Sequence, residues 1–357
     1  MSEELAEKRR RLLALIESED LDAVVLRRPA NIAWYSGGGR THIVATTEVG
    51  VADVVVTREG HEVVTAVNEA ARLRVEELGT LEARFTVLPW TDPRERSLPS
   101  GSRVGCDTPL PGTRDVGHAV VEARRALTPP EVDRYRVLGR DAAAAMTTAA
   151  FALEPGGTEF EAAALLARSL QERGIDPVVL LVAGMSRLGV HRHPLPTSAP
   201  LGRLAMLVTC ARRGGLIASL TRFVSFGRLD EAVRDAHERL LHVDAAFVRA
   251  TVPGRAVGEV FAAGIAAYAE HGFEAGEWRL HHQGGPTGYE PRDYLATAES
   301  TATVVEGQAF AWNPSVLGLK SEDTFVAGAA AQELVTVDGA WPAVGVDGIS
   351  RPLVLER

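Results

Sequence analysis

Four of the ten histidines fall in two tight groups, His191-Arg192-His193-Pro194 and His281-His282-Gln283. An imidazole changes charge near neutral pH and has two ring nitrogens that donate, accept or ligate, so grouped histidines point first to proton transfer. A third group, Lys320-Ser321-Glu322-Asp323-Thr324, sets two carboxylates beside a cation. The chemistry expected of this set is general acid/base catalysis by His193 and His281, with Glu322 holding the substrate. A carboxylate inside a sheet needs a positive partner. Arg222, Arg212 and Lys320 are the internal candidates, and an ammonium, guanidino or amidino group of a substrate is the external one. Gln283, Asn313, Tyr289 and Lys320 can donate hydrogen bonds to a developing oxyanion. Arg292 can grip a carboxylate with both arms of its guanidinium, and His282 and Asp323 complete the expected substrate-binding set. His42, His61, His118, His237, His242 and His271 read as surface or core residues.

Strands and the loops at their ends must present these groups. Residues 5–17 place Leu5, Leu12, Leu13 and Ile16 near one helical face, and residues 21–26 follow as a buried strand. Residues 50–57 and 62–67 flank a polar turn as a hairpin, and residues 68–78 read as a helix capped by Asn68. A capping pattern at Thr128-Pro129-Pro130-Glu131 opens a long helix over 131–153, which Glu154-Pro155-Gly156-Gly157 closes. The domain boundary is placed there, giving domains 1–127 and 128–357. Thr158 and Glu161 form a capping box for the next helix. Strands at 178–182 and 204–209, helices at 231–251 and 257–271, and strand-like runs at 303–312 and 324–331 fill the second domain. The fold class is therefore α+β.

At 357 residues the chain exceeds the size of one ordinary core. A net charge of -9 gives no electrostatic reason to expect nucleic acid or an anionic membrane as partner. Two cysteines cannot form a disulfide framework for such a chain, and no signal peptide or membrane-spanning run is apparent, so the expected location is the cytoplasm.

The order of these segments resembles the creatinase, prolidase and aminopeptidase P family. The resemblance rests on Asn31-Ile32-Ala33-Trp34-Tyr35-Ser36-Gly37 in the small domain, then the TPPE helix start, His191-Arg192-His193-Pro194-Leu195-Pro196, Thr221-Arg222, His281-His282-Gln283-Gly284-Gly285 and Ser321-Glu322-Asp323. It implies a C-terminal pita-bread domain behind a smaller, mixed α/β creatinase-type domain. The family holds two divalent ions with two Asp, one His and two Glu. Carried over one position at a time, the first Asp falls at Thr209 or Val208, the second at Ser219, the His at Gly285 and the first Glu at Asn313. Only the last Glu survives, as Glu322. Hydroxyls, an amide and a glycine cannot neutralise two dications, so no metal and no other cofactor is expected.

The resemblance further implies a homodimer in which the small domain nears the partner's site, where Arg40, beside the Trp34-Tyr35 segment and the glycine turn, could act. The creatinase branch works without metal; its proton-transfer His matches His193, one of its guanidinium-clamping carboxylates matches Glu322, and the other falls at Thr221. The leading expectation is a metal-independent hydrolase or lyase acting on a C–N bond of a small amino-acid-like or guanidino/amidino substrate. The alternatives are an inactive pseudopeptidase serving as a binding protein, and a residual enzyme with one ion on Glu322, Asp323 and a histidine.

Overall fold

Helix α1 (Glu3–Ser18) begins where the Ser2 hydroxyl accepts from the Leu5 amide at 3.2 Å, and it buries Leu5, Leu12, Leu15 and Ile16. The computed structural model, which describes residues 2–357, divides into two compact units, 1–131 with 214–216 and 132–213 with 217–357. In the first, β1 (Ala23–Leu26), wholly buried, leads to α2 (Pro29–Ser36), β2 (Ala52–Thr57), β3 (His61–Ala66), α3 (Val67–Arg72), β4 (Arg84–Leu88), β5 (Val104–Cys106), β6 (Arg114–Asp115) and α4 (Gly117–Arg124). The strands form one mixed sheet in the order β4-β3-β2-β1-β5-β6. Trp34 and Tyr35 form the buried last turn of α2, which Gly37 ends at φ +81. Asn68 lies inside α3 rather than capping it, and the chain continues as a π-helix over Leu73–Glu77.

Helix α5 (Pro129–Ala152), all but the first turn of which belongs to the second unit, has at its head the Glu131 carboxylate accepting from the Thr128 amide and hydroxyl, both at 2.7 Å. Helix α6 (Glu159–Gln171) carries the expected Thr158/Glu161 capping box. Then come β7 (Asp176–Gly184), α7 (Met185–Leu188), β8 (Leu204–Arg213), β9 (Leu216–Ser225), α8 (Glu231–Ala250) and α9 (Val257–Glu270). Short strands complete the chain: β10 (Gly284–Thr287), β11 (Ala309–Trp312), β12 (Ser315–Val316), β13 (Leu319–Lys320), β14 (Asp323–Val326), β15 (Glu333–Leu334), β16 (Ala343–Val346), β17 (Ile349–Pro352) and β18 (Leu355–Glu356). Gly214 and Gly215, both at positive φ, turn β8 into β9.

Two four-stranded sheets result, β18-β9-β8-β7 and β10-β11-β14-β15. At their meeting the Thr324 hydroxyl accepts from the Ser219 amide at 2.7 Å and donates to the Ser219 carbonyl at 3.0 Å. The Thr221 amide adds a bond to the Glu322 carbonyl at 3.0 Å. Beneath the second sheet, Phe310, Trp312 and Phe325 pack with Phe247 of α8 and Tyr268 of α9 in one buried cluster. Phe247 stacks on Trp312 at 4.8 Å, and the indole donates to the Thr251 hydroxyl at 2.9 Å. Among the described residues, no helix is long and apolar enough to cross a membrane. Cys106 and Cys210 are both free and buried.

Candidate functional site

The seam between the two sheets gathers the conspicuous polar residues of the sequence. Strand β9 brings Ser219, Thr221 and Arg222, the hairpin β12–β13 brings Lys320, and the residues entering β14 are Glu322 and Asp323. Register fixes the rest: Gly284 faces Trp312, Trp312 faces Asp323, and Gly285 faces Ala311. The Asn313 amide donates to the Gln283 carbonyl at 3.0 Å, so the two groups from the HxxGG and Asn-Pro segments lie side by side.

Glu322 is buried and fully engaged. Its Oε1 receives Arg292 Nη2 at 2.7 Å, and its Oε2 receives Lys320 Nζ at 2.8 Å and the Thr221 hydroxyl at 3.0 Å. Burial alone would raise this carboxyl, but the charges of Lys320 and Arg292 outweigh it and bring Glu322 down to about 2. The expected need for a cationic substrate group is thus met from inside. Asp323 is engaged in the same way, by Arg222 Nη2 at 2.8 Å, Arg351 Nη2 at 3.0 Å and the Thr336 hydroxyl at 2.7 Å. Arg351 is wholly buried and also pairs with Asp244 of α8 at 2.5 Å. Arg222 also donates to the Thr221 and Thr336 carbonyls, at 2.8 and 2.9 Å. Asp323 and Arg222 therefore serve the fold rather than a ligand.

Gln283 is committed as well: its carbonyl oxygen accepts from the Tyr268 hydroxyl at 2.8 Å, and its amide nitrogen donates to the Trp278 and His281 carbonyls at 2.9 and 2.6 Å. It fixes the loop and has no donor left for an oxyanion. Tyr289 is buried. Asn313 is buried too, and its Oδ1 has no hydrogen-bond partner. Arg40 belongs to the first unit, where it is exposed and pairs with Glu77 at 3.1 Å.

The histidines behave differently. His193 Nε2 and His281 Nε2 are 2.9 Å apart, one donating and the other accepting. The His282 ring lies 4.5 Å from that of His281 and 5.4 Å from that of His193, centroid to centroid. His281 is buried, His282 half-buried and His193 exposed. Burial, then Lys320 and the neighbouring imidazoles, press His281 down to about 2. Burial, Arg292 and Lys320 hold His282 at about 4, and burial with Lys320 lowers His193. His281 and His282 are therefore neutral at ordinary pH, and His193 is biased toward its neutral form. Arg192 pins the segment that carries His193 by pairing with Glu277 at 2.5 Å and donating to the Ser315 hydroxyl at 3.0 Å.

A dinuclear metal centre does not fit the positions where the family resemblance puts its ligands. The Thr209 hydroxyl donates to the Val179 carbonyl at 3.0 Å, and the Ser219 hydroxyl donates to Cys210 Sγ at 3.2 Å. Gly285 sits at φ +145, and a Cβ there would come within 3.0 Å of the Ala296 amide and the Tyr294 carbonyl, so a histidine is excluded by backbone and space together. Arg292 reaches Glu322 at 2.7 Å and the Ser219 hydroxyl at 3.4 Å, which sets a guanidinium between two of the former ligand positions. One ion on Glu322, Asp323 and a histidine is opposed by the same arrangement, since Arg292, Lys320, Arg222 and Arg351 already surround those carboxylates. Sequence reasoning missed Arg351, Asp244 and Thr336, which come from elements distant along the chain and carry no motif.

The comparisons with known proteins agree with this architecture. The family model for metallopeptidase family M24 matches residues 133–338. No curated protein is significantly similar to the chain in sequence. Among solved structures, the prolidase from Pyrococcus horikoshii superposes with a TM-score of 0.79 at 18% identity, covering 93% of this chain and 98% of that one. The X-Pro aminopeptidase from Thermotoga maritima gives 0.77 at 15% identity, over 98% and 99% of the two chains. The dipeptidase PepE from Mycobacterium ulcerans gives 0.77 at 19% identity, over 99% of each. The expected pita-bread fold with a smaller mixed α/β domain before it is borne out.

Proposed function

Because the chain belongs to metallopeptidase family M24, we propose that it acts on a C–N bond of a small amino-acid-like molecule, as a hydrolase or lyase, without the dinuclear centre of its family. The observation that carries this reading is the 2.9 Å contact between His193 Nε2 and His281 Nε2. Two neutral imidazoles so placed share one proton along the contact, and the exposed His193 can pass it to or from a bound molecule. Lys320 and Arg292 bring two positive charges against the single negative charge of Glu322. That balance favours a substrate with a carboxylate and disfavours the guanidino and amidino compounds.

The test is a thermal-shift panel of amino acids, dipeptides and guanidino compounds, followed by turnover of whatever binds. A carboxylate-bearing, amino-acid-like compound is expected to raise the melting temperature, since a ligand of the native state alone stabilises it. Its turnover should fall by about a hundredfold or more in the double variant His193→Ala/His281→Ala, the usual contribution of a general acid/base. Unchanged turnover in that variant overturns the assignment.

The internal pairing of Glu322 and Asp323 favours a second reading, a binding protein whose former centre now only holds the sheets together. It predicts that a ligand of the panel binds and is never converted. Arg40, exposed at the surface of the first unit, is the candidate contact of the expected homodimer.

A further inference from the structure

His282 adds a third imidazole to the pair, and consecutive residues of an extended chain ordinarily point to opposite faces. Here both His281 and His282 turn toward His193: one ligand-capable atom from each of the three residues lies within 4.8 Å of the others. We infer that His193, His281 and His282 form a site for a single transition-metal ion, separate from the positions of the family's dinuclear centre.

Three observations support the site. The first is spacing. Tetrahedral zinc takes imidazole nitrogens at about 2.0–2.1 Å, which sets them roughly 3.4 Å from each other. The closest pair here, at 2.9 Å, is already inside that spacing, and none of the three atoms lies more than 4.8 Å from another, a spread that small side-chain rotations can close. The second is spare bonding capacity. Nδ1 of His281 and Nδ1 of His282 are buried without a hydrogen-bond partner, so the trio has more nitrogen valence than the protein itself uses. The third is access. His193 is exposed, so a fourth coordination position would face solvent, as in open three-histidine sites.

The donor set is nitrogen only. It suits zinc, cobalt, nickel or copper and not magnesium, calcium or manganese, which prefer oxygen. Lys320 and Arg292 oppose a dication, and Glu322 offsets only one of them, which places the site among weaker ones and makes its affinity sensitive to Lys320. The inference rests on the proposed function only in sharing two histidines with it; the third, His282, separates the two.

The experiment is titration of chelator-treated full-length protein with Co2+, followed by visible absorption, with elemental analysis and the melting temperature as independent readings. The expected result is one Co2+ per chain with the intense d–d bands of a tetrahedral site, displaced by Zn2+, and a melting temperature that rises with the metal. Loss of a partner one shell out from a metal costs about 10–100-fold in affinity, so His282→Ala, which deletes a ligand, should cost at least about a hundredfold. The variant His193→Ala, at an exposed position that the core does not need, should do the same. Lys320→Met should tighten binding, a change that a merely structural role for Lys320 does not produce. Absence of stoichiometric binding, or binding that survives both histidine substitutions, overturns the inference. If no metal binds while turnover still depends on His193 and His281, the proton-transfer reading stands and this one falls. If metal binding is lost with His282 and no organic compound elicits a response, the metal site stands and the proton-transfer reading falls.

Discussion

Glu322 shows what it takes to hold one carboxylate inside a sheet. In the family pattern it is a metal ligand; here it is the anion of a buried triad with Arg292 and Lys320. Its stabilising effect must depend on pH. The carboxyl is near 4.5 when unfolded and about 2 when folded, so its contribution is complete above about pH 4.5 and is lost as pH falls toward 2. At about 1.4 kcal/mol per pH unit the stake is on the order of 3 kcal/mol. Glu322→Gln should therefore destabilise the protein by about 3–5 kcal/mol at pH 6, because it leaves two buried cations without an anion. The gap between variant and wild type should close as pH approaches 2, where wild-type Glu322 is itself protonated. Denaturant titrations at several pH values check both, and a gap that does not change with pH contradicts the pairing. That Thr209, Ser219 and Asn313 carry no carboxylate where the resemblance places one could be read from the sequence, because the surrounding motifs keep their order. The cations that meet Glu322 could not, because Arg292 and Lys320 are ordinary loop and hairpin residues until the fold brings them onto it.

Elements with strong local signals were legible; those made by pairing were not. Helices α6, α8 and α9 stand where caps and periodicity put them, and the capping box on α6 is formed by both of its bonds. By contrast, the run 303–312 contributes a strand only over Ala309–Trp312, and the Gly284–Thr287 strand has no β-forming residue except its threonine. Such segments become strands because a neighbour offers a ladder, which no window of sequence contains. Helix packing gives a sharper case. Gly264 of α9 lets the helix approach α8 so closely that a Cβ would lie 2.2 Å from the Phe247 ring. Alanine in a helix is worth about 1 kcal/mol over glycine, but overpacking of a core ring costs about 1–3 kcal/mol, and this ring is trapped against Trp312. Gly264→Ala should thus lower stability by about 1–2 kcal/mol. A melting temperature at or above that of the wild type would show that α8 and α9 yield more readily than their packing implies.

At the scale of the whole molecule, two units with separate sheets and cores should respond separately to local damage. The second unit depends on the Thr324 hydroxyl, which accepts and donates at Ser219, where the two sheets share no ladder among the described residues. Thr324→Val keeps the shape and removes both bonds, leaving a buried amide and carbonyl unpaired. A loss of about 1–3 kcal/mol is expected. Hydrogen exchange should quicken at Ser219 and along β14 while the sheet of residues 1–131 keeps its protection. Equal loosening in both units would instead mean that they unfold as one. The α+β class and the order of its pieces could be read from the chain, whereas this junction could not, since a threonine between a carboxylate pair and a hydrophobic strand carries no mark of what it joins.

The guanidinium of Arg292 has one further consequence. A centre built on inorganic ions is filled or left empty according to the supply of metal around the protein, and a chelator can strip it. The counter-charge to Glu322 is instead translated with the chain and held by a covalent stem, and no chelator can remove it. The carboxylate of Glu322 therefore has its counter-charge, Arg292 and Lys320, from the moment the pita-bread unit assembles, in metal-rich and metal-starved surroundings alike.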